Sequence, residues 1–307
     1  MSGDIAMDLS QIDYKLLKAL DAVVMEQSFE RAAQRLFITQ SAISQRIKTL
    51  EKQFGEPLLI RSTPPQSSPL GRTLLGHYQR VLQLEMELNQ QLDLQTNQAL
   101  TLPLAVNADS LASWLITALS PIIQQQHVQL NLFVQDESTT WERMRSGEAL
   151  ACLTSKAKAI SGSDSYFLGY MEYVCVASPS FIKRFFKNGV NRESLQHAPA
   201  MSFDQHDDMH FAFMREHFQL QMGHYPCHTI RSSEAFVDLT LASGAYSFNT
   251  TFSVEQHLQS GALVDLLPKQ RVRVPLYWHC WQLGGELMKQ VTEQVVQYSR
   301  HVLNQSG

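Results

Sequence analysis

The apolar positions of the first sixty residues predict three short helices. The first covers residues 10–27 with Ser10 as its cap, because apolar side chains recur there every three or four positions. Ser28 and Thr39 are the expected caps of the next two helices, since a hydroxyl can accept a hydrogen bond from a free N–H group of the first turn. Gly55 is expected to end the third helix, because glycine adopts a left-handed backbone without strain. The predicted buried stripe of the first helix consists of Leu16, Leu17, Leu20, Val23 and Val24.

The second and third helices have the pattern of a helix-turn-helix. Ala32 and Ala33 are small enough to let the two helices approach closely, and Ile43, Ile47 and Leu50 recur at helical spacing on the inner face of the third. The outer face of the third helix combines Gln, Ser, Arg and Lys, which can bond base edges or phosphates. A short strand at residues 57–61 would form a wing. An ordinary amphipathic helical hairpin is the alternative. The predicted DNA-binding residues are Thr39, Gln40, Ser41, Ser44, Gln45, Arg46, Lys48 and Arg61.

A long helix is predicted to follow the proline-rich joint at residues 64–69. It covers about residues 70–95, and its apolar stripe has no core of its own to join. We expect this stripe to form a homodimer contact that includes Leu75, Leu82 and Leu88. The alternative is that the helix packs on the second domain of its own chain.

From Leu100 onward, short apolar runs alternate with helical patterns. Such alternation predicts a mostly parallel α/β sheet, and the length of this segment favours two lobes with a cleft between them. Residues 166–170 and 173–177 are predicted as two separate strands. The fold class is therefore α+β and α/β in two domains, with a winged helix-turn-helix and a long linker helix before a two-lobed α/β domain.

Composition and charge agree with a local DNA-binding surface. The 307 residues suffice for two domains of roughly 150 residues each, and 44% are hydrophobic. The net charge of −4 argues against a uniformly basic protein, but residues 28–61 carry six Lys or Arg against three Asp or Glu, a local charge of +3. The four cysteines are widely spaced and form no CxxC pair, which is typical of reduced thiols in a cytosolic protein.

Several other classes of protein lack the expected motifs. Residues 1–10 do not have the composition of a signal peptide, and no apolar run reaches the roughly 18 residues that cross a membrane. No GxSxG, GxxxxGK[ST], HExxH or strand-linked GxGxxG motif occurs, so we do not expect an enzyme. The histidine-rich segments 206–210 and 224–228 lack a known zinc spacing. We therefore predict a cytoplasmic protein with no membrane contact, no metal and no cofactor.

Loops between strands and helices in the second domain are candidates for ligand binding. Ligands bind at such loops in two-lobed α/β folds, and the free N–H groups of helix N-termini favour a carboxylate. Serines in these loops can bind an anionic group, but the carboxylates are too many for that task alone. They indicate a ligand that also bears a cation, such as a zwitterion with a basic side chain. Each residue could instead be a simple helix cap. The candidate effector-binding residues are Asn107, Asp109, Ser110, Asp136, Glu137, Asp204, Ser233 and Glu234.

The segment SFERAAQRLFITQSAISQRIKTLEKQFGEPLLIR, residues 28–61, resembles the N-terminal domain of LysR-type transcriptional regulators. It keeps nearly every element of the family pattern SF..AA..L..tQsa.S..I..LE..lG..L..R. Residues 63–65 and 69–71 depart from the family's usual lT.aG entry to the next helix, which concerns the contacts of the wing rather than the fold. The resemblance implies a homodimer or homotetramer that binds a pseudo-palindromic operator in double-stranded DNA, with RNA polymerase as a further candidate partner.

Motifs in the second domain extend the resemblance. LAVNADSLASWL, DDMH, PCHTIRSSEAFV and LYWH are similar to the branch of the family that senses arginine and lysine and controls the export of basic amino acids. This likeness implies arginine or lysine as the small-molecule effector. It also implies a periplasmic-binding-protein-like pair of lobes with crossings near residues 170 and 272. Residues 243–251 lack the usual proline of that branch in a loop that faces the cleft.

Together these inferences divide the chain into three parts. The alternatives from other classes are a periplasmic-type small-molecule binding protein without a DNA role, and an α/β enzyme. The expected parts are a DNA-binding domain at 10–66, a linker helix at 67–98, and a regulatory domain at 99–307 whose first lobe covers 99–170 and 273–307 and whose second covers 171–272.

Overall fold

The chain forms a helical N-terminal domain, a long helix and an α/β C-terminal domain. Among the described helices, none is both long enough and apolar enough to cross a membrane. Ser10, Arg61, Asp136 and Glu137 have predicted roles but lie outside the described residues. The structure, a computed structural model, describes residues 12–60, 62–92, 100–125, 128–135, 140–204, 207–282 and 285–306.

The N-terminal domain begins with three helices whose caps are set by local sequence. Asp13 caps the first helix by accepting a hydrogen bond from the Lys15 N–H, so this helix begins after the predicted start at residue 10. Ser28 and Thr39 cap the next two helices as predicted, and Gly55 ends the third with a φ of 70°. The elements are α1 (Tyr14–Glu26), α2 (Phe29–Arg35), α3 (Gln40–Phe54), β1 (Leu59–Ile60), β2 (Gln66–Ser67) and α4 (Pro69–Gln91).

One hydrophobic core joins α1, α2, α3 and the start of α4. Leu17, Leu20, Ile43 and Leu50 are completely buried in it, and Val24 packs partly buried at its edge. Burial of a side chain of this size contributes about 1.5–3 kcal/mol relative to exposure. The predicted stripe of α1 is therefore confirmed, and it holds α3 in a fixed orientation on the domain surface.

The long helix α4 changes character along its length. Leu75 and Tyr78 are buried in the N-terminal core. The prediction that Leu75 lies on a dimer contact was therefore wrong, because its own chain already covers it. The predicted end of the helix at residue 95 lies outside the described residues. The later turns carry half-exposed leucines at Leu84, Leu88 and Leu92.

The C-terminal domain alternates strands and helices from Leu100 onward, with a π-helical turn at Leu111–Leu115. Its strands are β3 (Leu100–Asn107), β4 (Val128–Gln135), β5 (Ala151–Thr154), β6 (Ser163–Ala177), β7 (Ala200–Ser202), β8 (Cys227–Thr229), β9 (Ser247–Thr250), β10 (Val264–Asp265) and β11 (Val272–Trp281). Its helices are α5 (Ala108–Ser110), α6 (Ile116–Gln125), α7 (Thr140–Arg145), α8 (Pro179–Phe185), α9 (Arg192–His197), α10 (Asp208–Phe218), α11 (Ser233–Leu241), α12 (Thr251–Gln259) and α13 (Gly285–Val302).

Seven strands form one mixed sheet in the order β10-β6-β11-β5-β3-β4, with β9 also paired to β6. Within this sheet, the described pairs β3–β4 and β3–β5 are parallel, whereas the pairs made by β6 and β11 are antiparallel. The prediction of a mostly parallel sheet was therefore wrong, because the two longest strands pair with each other in opposite directions. β6 is also one continuous strand rather than the two predicted segments.

The strands β6 and β11 run through both lobes of the C-terminal domain. The first lobe contains β3, β4 and β5 with α6 and α13, around a core that includes Leu104, Trp114 and Trp278. The second lobe contains β7 to β10 with α8 to α12, around cores that include Phe181 and Tyr246. The two lobes are therefore joined by long strands that hydrogen bond to each other.

These two strands are irregular at one level. Gly169 in β6 pairs with Leu276 in β11, and the register shifts between Leu276 and Tyr277. Gly169 has a φ of 134°, and a Cβ atom there would press against Leu303 and the backbone of Asn304. This position therefore requires glycine both for its backbone and for the close approach of the C-terminal segment.

The long helix α4 also contacts the C-terminal domain of its own chain. Gly76 packs directly against the backbone of Gly147, and a Cβ atom on either residue would overlap the other. The alternative that this helix packs on its own second domain therefore holds for its first turns. Two side-chain contacts flank this point, an ion pair of Arg72 with Glu148 at 3.8 Å and the Arg80 guanidinium 5.1 Å from the Trp281 ring centre.

Candidate functional site

The outer face of α3 is polar and open to solvent. Gln40, Ser41, Gln45 and Lys48 are exposed there, as is the cap residue Thr39. The predicted contacts Ser44 and Arg46 are partly buried at the edges of this face. A helix that carries short polar side chains at its N-terminal end can enter the major groove and hydrogen bond to base edges.

A short wing lies beside α3. Its strand β1 is shorter than the predicted strand at residues 57–61, and Leu59 lies opposite Ser67 of β2. The Glu51 carboxylate accepts a hydrogen bond from the Leu58 N–H at 3.0 Å, which ties the last turns of α3 to the wing. Arg61, which was predicted to reach the DNA backbone, lies outside the described residues.

A cavity of about 700 Å³ lies between the two lobes of the C-terminal domain. Three of the predicted effector residues line it, namely Asn107, Asp109 and Ser233. Asn107 ends β3 and Asp109 follows in α5, whereas Ser233 begins α11 in the other lobe. The cavity therefore lies where a strand end and a helix start meet from opposite sides, as the loop positions predicted.

Asp109 accepts hydrogen bonds from two other residues that line this cavity. Its Oδ1 accepts a hydrogen bond from the Ser233 hydroxyl at 2.6 Å, and its Oδ2 accepts one from the Tyr173 hydroxyl at 2.7 Å. Beside it, Asn107 is 2% exposed, and neither atom of its side-chain amide has a hydrogen-bond partner among the described residues. A buried amide in that condition is costly unless a ligand or a water bonds to it.

Three other predicted residues do not line the cavity. Ser110 is completely buried, so its side chain does not reach the cavity surface. Asp204 pairs with Arg231 at 3.4 Å, and the exposed Glu234 accepts a hydrogen bond from the Ser232 hydroxyl at 2.9 Å. Asp204 therefore joins the loop after β7 to the loop before α11, whereas Glu234 bonds only to its near neighbour Ser232 among the described residues. Asp136 and Glu137 lie outside the described residues.

The cavity also includes residues that the sequence-based prediction missed. Two cationic side chains on its wall are already paired, Arg271 with Asp265 at 2.8 Å and Arg273 with Glu172 at 2.9 Å. The segment 243–251 reaches the cavity through β9, which is a buried strand rather than a loop. Tyr173 and Asn249 lie within strands and Glu216 within a helix, where loop position gave no signal. Asp207 and Lys269 lie in loops and also line the cavity.

A buried histidine supports one wall of the cavity. His210 is 1% exposed, and its Nε2 lies 3.0 Å from the Tyr225 hydroxyl. Burial lowers the pKa of His210 to about 4, so its imidazole is neutral near pH 7. The Asp207 carboxylate accepts hydrogen bonds from the backbone N–H groups of His210 at 3.0 Å and Phe203 at 2.9 Å. This network fixes Asp207 on the cavity wall.

The histidine-rich segments 206–210 and 224–228 are predicted not to bind a metal ion. His206 of the first segment lies outside the described residues, and His210 bonds to Tyr225. In the part of the chain that the structure describes, no group of three or more His, Cys, Asp or Glu side chains is placed to hold a metal ion.

A winged helix-turn-helix joined to a two-lobed domain with an interlobe cavity defines a DNA-binding transcriptional regulator that responds to a small effector. The chain belongs to the LysR family. Residues 14–75 match the bacterial regulatory helix-turn-helix protein, lysR family, and residues 95–302 match the LysR substrate binding domain. LysR-type regulators bind DNA through the helix-turn-helix and form oligomers.

Relatives of similar length carry one shared name. The HTH-type transcriptional regulator ArgP of Aeromonas salmonicida is 49% identical over 296 residues, which cover 96% of this chain and 99% of the relative. The ArgP of Salmonella arizonae is 46% identical over 294 residues, which cover 95% and 98%. Because these relatives are transcriptional regulators, the expectation that the chain is not an enzyme is confirmed.

Two solved structures have the same two-domain architecture. The crystal structure of ArgP from Mycobacterium tuberculosis is 28% identical with a TM-score of 0.80, and the match covers 96% of this chain and all of that one. The full-length LysG of Corynebacterium glutamicum with bound effector Arg is 25% identical with a TM-score of 0.73, over 95% of this chain and all of that one. The predicted fold class is thereby confirmed.

Proposed function

We propose that the effector is a basic amino acid, arginine or lysine, bound in the cavity between the lobes. The observation that carries this proposal is the Asp109 carboxylate on the cavity wall, beside the buried amide of Asn107. A ligand cation costs several kcal/mol to desolvate unless it is paired, and Asp109 offers that pairing. The arginine bound by the LysG of Corynebacterium glutamicum supports the same class of ligand.

In the proposed orientation, the α-carboxylate of the ligand lies at the N-terminus of α11 near Ser233. The free N–H groups and partial positive charge of that helix end favour an anion. The α-ammonium group pairs with Asp109, and the side-chain cation extends toward Glu216, which lines the same cavity. Asp136 and Glu137 stay candidates for additional contacts.

The proposed DNA complex places α3 in the major groove. Gln40, Ser41, Ser44 and Gln45 contact base edges, while Thr39, Arg46, Lys48 and Arg61 contact the backbone. A homodimer formed through the exposed turns of α4 presents two such helices to a pseudo-palindromic operator. Assembly into a homotetramer and contact with RNA polymerase are further parts of this proposal.

The cellular role follows from these two activities. We place the protein in the cytoplasm, where the DNA is, and propose that it controls genes for the export or metabolism of basic amino acids. We propose a DNA-binding domain at residues 10–66, a linker helix at 67–98 and a regulatory domain at 99–307. Its first lobe covers 99–170 and 273–307, and its second covers 171–272.

Two experiments test the proposal. Titration calorimetry of the full chain with arginine, lysine and, as a neutral control of similar length, glutamine should show binding of the two basic amino acids alone. If the folded protein gives neither heat nor a thermal shift with arginine or lysine, the effector belongs to another class. A gel shift with the DNA upstream of the protein's own gene should show a retarded complex that survives an excess of unrelated DNA.

A further inference from the structure

Phe37 lies in the turn between α2 and α3, and its side chain is 95% exposed. Its neighbours Leu36 and Ile38 pack partly buried against the N-terminal core, so the chain turns inward on both sides of it. Leu92 is the next most exposed large apolar side chain in the described part of the chain, at 57%. The ring of Phe37 is therefore presented to solvent without contributing to the core.

The exposed ring of Phe37 is attached to a backbone in the left-handed conformation. Phe37 has a φ of 54°, and it follows Leu36, the C-cap residue of α2. The Ile38 N–H donates to the Ala33 carbonyl at 3.0 Å, and the Phe37 N–H donates to the Gln34 carbonyl at 3.2 Å. This pair of hydrogen bonds ends a helix through one left-handed residue, a position that favours glycine or asparagine. A bulky side chain is disfavoured there by contact between its Cβ and the backbone.

We propose that Phe37 determines part of the DNA specificity by contacting the C5-methyl group of a thymine. Phe37 lies two residues before the cap Thr39, at the end of α3 that enters the major groove. Among the groups that bases present in that groove, the thymine methyl is the apolar one, and phenylalanine is among the side chains that contact it. The inference rests on the proposed entry of α3 into the groove.

This role accounts for a bulky, exposed side chain at a position whose backbone favours glycine or asparagine. A residue held in an unfavourable backbone conformation points to a function when the surrounding structure maintains it. Phe37 is such a residue, and its exposed ring gains no burial until a partner covers it. Gln40 and Ser41 can distinguish bases by hydrogen bonds, and Phe37 adds sensitivity to a methyl group that hydrogen bonds do not detect.

The test uses the full chain and a duplex selected by the wild-type protein from a random pool. Each thymine of that duplex is replaced in turn by uracil, which lacks the methyl group but keeps the same hydrogen-bonding edge. At one symmetry-related pair of positions, the wild type should lose about fourfold in affinity for each methyl removed, the factor expected for one buried carbon. Phe37→Asn should bind the thymine duplex more weakly and no longer distinguish uracil there, whereas the control variant Gln34→Ala should behave as wild type.

Stability and oligomeric state distinguish a DNA contact of Phe37 from a role in folding or in a protein contact. The melting temperature of Phe37→Asn should not fall, because asparagine suits the left-handed position. A variant that melts well below the wild type, or loses its dimer, would assign Phe37 to folding or to a protein contact and overturn the inference. Unchanged discrimination between thymine and uracil would overturn it as well, while α3 would still be the DNA-binding helix. If the wild type selects no duplex, the proposed DNA contacts fail along with it.

Discussion

The Ser233 hydroxyl donates a 2.6 Å hydrogen bond to Oδ1 of Asp109, and the two residues belong to different lobes. The bond connects the start of α11 to the start of the helical segment after β3, across the cavity. A ligand that pairs with Asp109 therefore acts on atoms that also hold the lobes together. It can favour one arrangement of the lobes only by the difference between its affinities for the two arrangements.

Removing the charge of Asp109 should weaken the binding of arginine or lysine. Hydrogen bonds to charged groups contribute about 1.5–3 kcal/mol, so Asp109→Asn should raise the dissociation constant roughly 10- to 100-fold in titration calorimetry. Glu234→Gln is the matched control, because that carboxylate is exposed and does not line the cavity. Wild-type affinity in both variants would place the ligand elsewhere.

The polar residues of α3 should separate into two groups in DNA-binding assays. Gln40→Ala or Ser44→Ala should reduce discrimination between the operator and altered sequences by about 1–3 kcal/mol, because base-edge hydrogen bonds are lost. Lys48→Ala should weaken binding to all sequences about equally and reduce the dependence of affinity on salt. Footprints that stay unchanged in both Gln40→Ala and Ser44→Ala would rule out α3 as the specificity element.

The exposed turns of α4 should carry the dimer contact. Leu88 is 53% exposed, so Leu88→Glu should leave the N-terminal core intact and halve the mass measured by light scattering. Leu75→Glu is unsuitable for this purpose, because Leu75 is 5% exposed and a buried charge would unfold the domain. A Leu88→Glu protein that melts like the wild type and stays dimeric would place the contact elsewhere.

His210 should make the stability of the second lobe fall with decreasing pH. The folded protein keeps this imidazole neutral because burial lowers its pKa to about 4, whereas the unfolded chain binds a proton below the ordinary pKa of 6.5. The stability difference between wild type and His210→Gln should therefore shrink from pH 6.5 to pH 4, by at most about 3 kcal/mol.

Denaturant unfolding at a series of pH values measures this difference. His197→Gln is the control, because His197 is exposed on α9. A stability difference between wild type and His210→Gln that is constant with pH would mean that His210 becomes protonated in the folded protein near its ordinary pKa.

A methyl group at Gly76 should separate α4 from the C-terminal domain. The Cβ of Gly76→Ala would overlap the Gly147 backbone, and overpacking of this kind costs about 1–3 kcal/mol if the contact is kept. We expect the contact to open instead, which would move Arg80 away from the Trp281 ring and change the tryptophan emission. The change should be absent in a Trp281→Phe background and in the exposed control Thr73→Ala, and its absence in Gly76→Ala itself would mean that the contact persists.

The N-terminal domain could be predicted closely because its signals are local. Ser28, Thr39 and Gly55 act within one turn of their own helices, and they are found at the predicted positions. The first helix was placed too early because Asp13, rather than Ser10, provides its cap. The role of Leu75 was misjudged because apolar spacing shows which side of a helix is buried but not which chain covers it.

The cavity could be predicted only in part. Asn107, Asp109 and Ser233 could be placed at the cavity because each lies where a strand ends or a helix begins, where α/β folds bind ligands. Tyr173 and Asn249 lie within strands, so their place on the wall depends on the sheet order, which the sequence pattern does not specify. The antiparallel pairing of β6 with β11 was missed because alternation of strands and helices favours parallel pairing of successive strands, whereas these two strands lie far apart in the sequence.

The pairing of β6 with β11 determines how the lobes can move. Two unpaired connections would allow a simple hinge motion that opens and closes the cleft. Here the two strands pair with each other along β11 from Val272 to Trp281, so they act as a single two-stranded ribbon. A ribbon resists bending in its own plane and yields to twist, most easily where its ladder is interrupted beside Gly169. Effector binding would then rotate one lobe against the other by a small angle about the long axis of this ribbon. The DNA-binding domains would receive a twist rather than a closing motion of the lobes.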